Sequence, residues 1–136
     1  MTEISICLPH PGRALSPNAH APLSRKGAAV MNAKKICEKK DLRSRAYMLT
    51  LSELRQKDIM GDFKPKNYRI NWYFKGTKPD ADNCLARCKA AIDGACGAFG
   101  IDDRDLELAG VKRIHSLDGK AGSMEIIFDD REEEEA

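Results

Sequence analysis

Apolar and polar residues alternate along 4–8, where Ile4, Ile6 and Leu8 are interleaved with Ser5 and Cys7, and Pro9 and Pro11 end the run. The same two-residue period is clearest over 67–74. There Tyr68, Ile70, Trp72 and Phe74 alternate with Asn67, Arg69, Asn71 and Tyr73. Both stretches predict strands. Between them, turn formers make 12–22 a loop, and Ser24 is a plausible N-cap for a helix over 24–45, which holds no proline. Its sparse apolar residues, Ala29, Val30, Ala33 and Cys37, predict a narrow packing face. Residues 46–60 carry mixed signals suited to a second helix, and 61–66 reads as a linker. Helical spacing returns over 82–99 and is closed by a turn at Gly100. Two strands, 106–115 and 123–128, then follow, joined by a hairpin turn at Asp118-Gly119. The order βα(α)βαββ predicts an α/β (α+β) fold, one small mixed sheet packed with helices.

At 136 residues and 42% hydrophobic content, the chain supports one domain with a small core, and a partner subunit would add to it. A homodimer is therefore expected. The net charge of +2 conceals an asymmetry, because 129–135 holds six acids and one arginine. The rest of the chain carries 22 basic against 15 acidic residues. This division predicts a domain over 1–128 and a disordered acidic tail over 129–136. A basic body favours a polyanion, and nine Lys/Arg between positions 13 and 45 face only Glu38 and Asp41. The tail is a candidate competitor for that basic surface.

Five cysteines, an odd number without a CxxC pair, fit a reduced, cytoplasmic protein. Nothing in the first residues resembles a secretory signal. Cys84 and Cys88 stand one helical turn apart, but no histidine or further cysteine follows at zinc-site spacing. No run is long and apolar enough to span a membrane, so no membrane association is expected.

The chemistry concentrates in Lys78-Pro79-Asp80-Ala81-Asp82-Asn83, followed by Lys89, Asp93 and the pair Asp102-Asp103. Carboxylate oxygens suit hard cations such as Mg²⁺ or Mn²⁺, and lysine suits phosphate. At about 100° per residue, a helix from Asp82 carries Asp82, Ala86, Lys89 and Asp93 on one stripe. Leu85, Cys88, Ile92, Ala95 and Phe99 fall on a second stripe facing the core. Asp80 reaches the polar stripe from outside the helix, and one of Asp102 and Asp103 is placed to complete a metal site. Each of these acids has an ordinary alternative: a helix cap, an i,i+4 pair or a turn.

These residues carry a resemblance. Pro79-Asp80-Ala81-Asp82-Asn83, Lys89-Ala90-Ala91-Ile92-Asp93-Gly94 and Gly100-Ile101-Asp102-Asp103 are similar to the signature of the RusA family of Holliday junction resolvases. Leu8-Pro9 and Leu15-Ser16-Pro17-Asn18-Ala19 resemble the family's opening, so the similarity covers most of 4–128. It implies a small α/β homodimer, often phage or prophage encoded, that resolves four-way DNA junctions by paired, Mg²⁺-dependent nicks. Asp80, Asp82 and Asp103 match the family's catalytic, metal-holding acids and Lys89 its catalytic lysine. Lys89 lies further from the D-x-D-N motif than in the best-known member. Asn83, Asp93 and Asp102 would support the site, with Asp93 orienting Lys89. Arg13, Asn18, Arg25, Lys26, Lys34 and Lys35 would hold DNA. Mn²⁺ would be an acceptable substitute. Competing readings are a nuclease for flaps and other branched DNA, and a junction-binding protein that does not cut.

Overall fold

The computed structural model describes residues 2–11 and 25–132. The predicted loop at 12–22, the Ser24 cap, and the DNA-holding candidates Arg13 and Asn18 lie outside the described residues. Strand β1 (Glu3–Pro9) buries Ile4, Ile6 and Leu8 on one face, as its alternation requires. Strand β2 (Asn67–Phe74) does the same with Ile70 and Trp72. Helix α2 (Ala81–Phe99) ends at Gly100, whose φ of 74° is the left-handed conformation that glycine adopts without a Cβ penalty. A single 3-10 turn at Asp103–Asp105 leads into β3 (Glu107–His115), and β4 (Ser123–Asp129) follows.

These elements form a mixed four-stranded sheet in the order β1-β4-β2-β3. Strands β2 and β3 are parallel, with α2 as the crossover between them, and β4 runs antiparallel to both β1 and β2. The helices cover the face lined by Ile4, Ile6, Leu8, Ile70, Trp72, Met124, Ile126 and Phe128.

Three sequence expectations are corrected. First, 24–45 and 46–60 do not form two helices: α1 (Arg25–Gln56) is continuous for 32 residues. No glycine or proline interrupts 28–56, so nothing ends the helix near 45. Its buried residues are Leu42, Ala46, Thr50, Leu51 and Leu54, whereas Ala29, Val30, Ala33 and Cys37 are exposed. Second, the last two strands do not make a hairpin. Met124, Ile126, Ile127 and Phe128 are all buried, and such a strand gains most in the sheet interior. Accordingly β4 inserts between β1 and β2, while the half-exposed β3 takes the edge. Asp118 still organises the turn, accepting from Ser116 Oγ and from Lys120 N–H. Third, Asp129 belongs to the sheet rather than to a tail. It is 4% exposed, and Asn67, Arg69 and the Arg131 N–H all donate to its carboxylate. Residues 130–132 continue in contact with the domain through Thr2 to Asp130 and Lys66 to Glu132. Residues 133–136 lie outside the described residues.

Candidate functional site

The candidate residues divide between the two ends of the sheet. Strands β1 and β2 both run antiparallel to β4, so their C-terminal ends lie together. At that end Asp80 stands as the N-cap of α2, in extended conformation (φ −72°, ψ 142°), but its side chain makes no capping hydrogen bond. Asp82 follows in the first turn and is exposed. Among the described residues, neither carboxylate forms an ion pair. Asp80 thus occupies the cap position, as one ordinary alternative expected, but leaves its carboxylate out of the cap. Asn83, half-buried, completes the turn.

The polar stripe forms as its period predicts. Asp82, Lys89 and Asp93 are exposed and Ala86 is half-buried, while Cys88, Ile92, Ala95 and Phe99 are buried and Leu85 packs on the core. Asp93 does not pair with Lys89 among the described residues, so the expected orienting contact is absent from the described contacts. Instead Asp93 lines a groove of about 340 Å³ between the helices, with Arg43, Ser44, Tyr47, Met48, Gly94 and Gly97. Here α1 and α2 cross so closely that a Cβ on Gly94 would collide with the Arg43 carbonyl.

Asp102 and Asp103 lie at the other end. Charges on Asp103, Asp93 and Asp102 reach Cys96, so the pair sits beside the last turns of α2. Asp82 and Cys96 are 14 residues apart, or about 20 Å along the axis. Within one chain, Asp103 therefore does not join Asp80 and Asp82. No three His, Cys, Asp or Glu side chains among the described residues are grouped to hold a metal ion. The two neighbours differ in role. Asp102 caps the 3-10 turn, accepting from the Arg104 N–H at 3.0 Å and pairing with its guanidinium at 3.1 Å. These bonds hold its carboxyl well below the usual range. Asp103 is pushed upward by its hydrogen bond with Asp102, then by burial and the charge of Asp93. Asp103 is thus the less engaged of the pair.

The basic first half of α1 lies at the Asp80 end, whereas Lys64, Lys66, Arg69 and Arg104 lie at the opposite one. Glu38, Asp41, Leu42 and Arg45 of α1 line a cavity with Leu8, Pro9, His10 and Pro11, whereas Lys57, just past the helix, donates to the Glu3 carbonyl. Helix α1 therefore runs from the Asp80 end down to the opposite one. Its first 17 residues include no fully buried side chain and extend for about 25 Å. Arg25, Lys26 and Lys34 are exposed on this arm and Lys35 is half-buried. By contrast, the start of the acidic stretch is held at the far end, where Lys66 meets Glu132.

Three residues at the Asp80 end were not singled out by sequence reasoning. His10 stacks on Trp72 with centroids 3.9 Å apart, its Nε2 2.8 Å from the Ser123 carbonyl oxygen. Burial pushes its pKa below the ordinary value. Arg87 lies 5.0 Å from the Trp72 ring centroid and donates to the Pro11 carbonyl. Arg113 is in register with Trp72 and donates from Nη1 to the Pro79 carbonyl at 3.3 Å. The strand period singles out Arg113, because the alternation that turns Val111 inward also turns Arg113 inward. All five cysteines are free, and burial pushes Cys88 and Cys96 up to about 12.

No family model matches the chain. An uncharacterized protein of Xylella fastidiosa is 36% identical over 100 residues, which cover 74% of this chain. The matched region spans 60% of that relative's length. No helix is long and apolar enough to cross a membrane among the described residues.

Proposed function

We propose that the chain is a RusA-like, Mg²⁺-dependent endodeoxyribonuclease that nicks branched DNA, four-way junctions above all, as a homodimer. One observation carries the reading: two exposed carboxylates without an ion pair among the described residues, Asp80 and Asp82, stand at the same end of the sheet as the basic arm of α1. Mg²⁺ commonly uses one or two carboxylates together with substrate phosphate oxygens, and Asp80 and Asp82 fit that mode without a protein cage. When bound, the ion supplies an activated water and charge neutralisation at the phosphate. Lys89 lies two turns along the same stripe, about 10 Å from Asp82. It carries an exposed ammonium toward phosphate oxygens and stabilises the charge that builds there during cleavage. Arg25, Lys26, Lys34 and Lys35 hold the backbone without reading sequence.

Asp103 joins a site with Asp80 and Asp82 only from a second copy, since α2 separates them within one chain. A twofold assembly suits this requirement and also a pseudo-twofold substrate that needs two cuts. A junction binder that does not cut is the second reading, favoured by the lack of a three-carboxylate group among the described residues. The deciding assay offers a four-way junction, a flap and a linear duplex to the purified chain in Mg²⁺. Paired nicks in the junction, with little cleavage of the others, are expected. Tight junction binding without nicks in Mg²⁺ or Mn²⁺ would select the second reading.

A further inference from the structure

The segment that delivers Asp80 is almost untethered. After Phe74, whose carbonyl accepts from the Ser116 N–H at 2.9 Å, the chain passes through Lys75, Gly76, Thr77 and Lys78, all exposed. Gly76 adopts a φ of 91°, in the left-handed region. The next backbone anchor is the Asp80 carbonyl, which accepts from the Cys84 N–H at 3.1 Å. Between these two points the sole hydrogen bond among the described residues is the one from Arg113 Nη1 to the Pro79 carbonyl. The Asp80 side chain gains no orientation from capping the helix. Its direction therefore depends on where the backbone is held, and Arg113 and Cys84 hold it from either side.

Arg113 is unusual for its position. It occupies an inward-facing site of β3, opposite Trp72, where an apolar residue would cost less. Its Nε is buried and without a hydrogen-bond partner, and its guanidinium forms no ion pair among the described residues. Stability alone gives little reason to keep a guanidinium there, because one bond to a carbonyl returns only part of the desolvation cost. A bond that fixes the approach to a functional carboxylate gives a reason.

We infer that Arg113 is a positioning residue that clamps the Pro79 carbonyl and thereby fixes the Asp80 carboxylate for cation binding. The inference rests on the nuclease reading for its consequence, but the clamp itself can be tested without substrate. Outer contacts of this kind set how well a ligating carboxylate is presented.

The test compares the full chain with Arg113→Lys and Arg113→Gln. In the Gln variant, the ¹⁵N heteronuclear NOE should fall over residues 75–80 and stay unchanged in α2 beyond Cys84. Binding of Mn²⁺ alone, followed by electron paramagnetic resonance, should weaken about tenfold or more. The Mg²⁺ midpoint for junction nicking should rise in step, with nicking recovering at saturating Mg²⁺. Arg113→Lys keeps one donor and should fall between the other two. Wild-type NOE values with wild-type Mn²⁺ binding in the Gln variant would overturn the inference. So would a lowered melting temperature with unchanged metal affinity, which would mark Arg113 as merely structural. If the Gln variant does not fold, Arg113→Lys decides: weakened Mn²⁺ binding supports the clamp and wild-type binding overturns it. A wild-type chain that nicks nothing would remove the nuclease reading, while the NOE would still decide the clamp.

Discussion

His10 shows how much one side chain can tie together at the Asp80 end. It lies flat on Trp72, with one ring nitrogen on the Ser123 carbonyl, and its main chain bonds to the Gly122 carbonyl. Burial favours the neutral ring and outweighs the opposing hydrogen bonds, so the folded pKa falls below the ordinary 6.5. Neutral His10 therefore contributes stability that is complete above pH 6.5 and is lost as pH falls through the lowered folded value. Urea unfolding at pH 8 and pH 5 should accordingly show a larger loss for the wild type than for His10→Gln. Equal losses would contradict this. Trp72, the chain's one tryptophan, gives a convenient fluorescence signal for the same titration. No periodic signal marks this stack, because His10 follows a strand-ending proline and meets its partner only when β1 and β2 flank β4. The acids were more legible. Their exposure at Asp82, Lys89 and Asp93 follows directly from helical period, whereas the engagement of Asp102 by Arg104 depends on a local turn with no periodic signature.

Among the elements, α2 and β2 were readable almost to the residue because each has one strong period, bounded by Gly100 in the first case and by charged neighbours in the second. The placing of β4 was not readable from adjacency. A turn at Asp118-Gly119 suggests a hairpin, but the burial of Ile126, Ile127 and Phe128 selects an interior place, and that competition is settled by tertiary packing. The close crossing of α1 and α2 was equally invisible, since a helical glycine has several possible reasons. Gly94 and Gly97 separate those reasons. Gly94→Ala puts a methyl into the Arg43 backbone and should lower stability by about 2 kcal/mol. Gly97→Ala meets only Tyr47 at an ordinary 3.5 Å and should be neutral or stabilising by about 0.5 kcal/mol through helix propensity. Denaturant midpoints of the two variants check the pair, and similar losses in both would refute the close-crossing account.

For the whole molecule, the important result is the separation of ends. Asp80, Asp82 and the basic arm share one end; Asp102, Asp103 and the start of the acidic stretch share the other. Composition indicated a polyanion partner but not this division, because charge counts carry no direction. If the arm holds DNA backbone, Lys34→Ala with Lys35→Ala should weaken junction binding and reduce its salt slope by about 2. An unchanged slope would take the arm out of the interface. We propose that the Asp80 and Asp82 carboxylates hold the ion that cuts the DNA bound by the basic surface. The most direct measurement pairs binding and nicking of one four-way junction by Asp82→Asn. That variant should bind the junction as wild type in Ca²⁺, with nicking in Mg²⁺ reduced by about a hundredfold or more. Wild-type nicking by Asp82→Asn would contradict it.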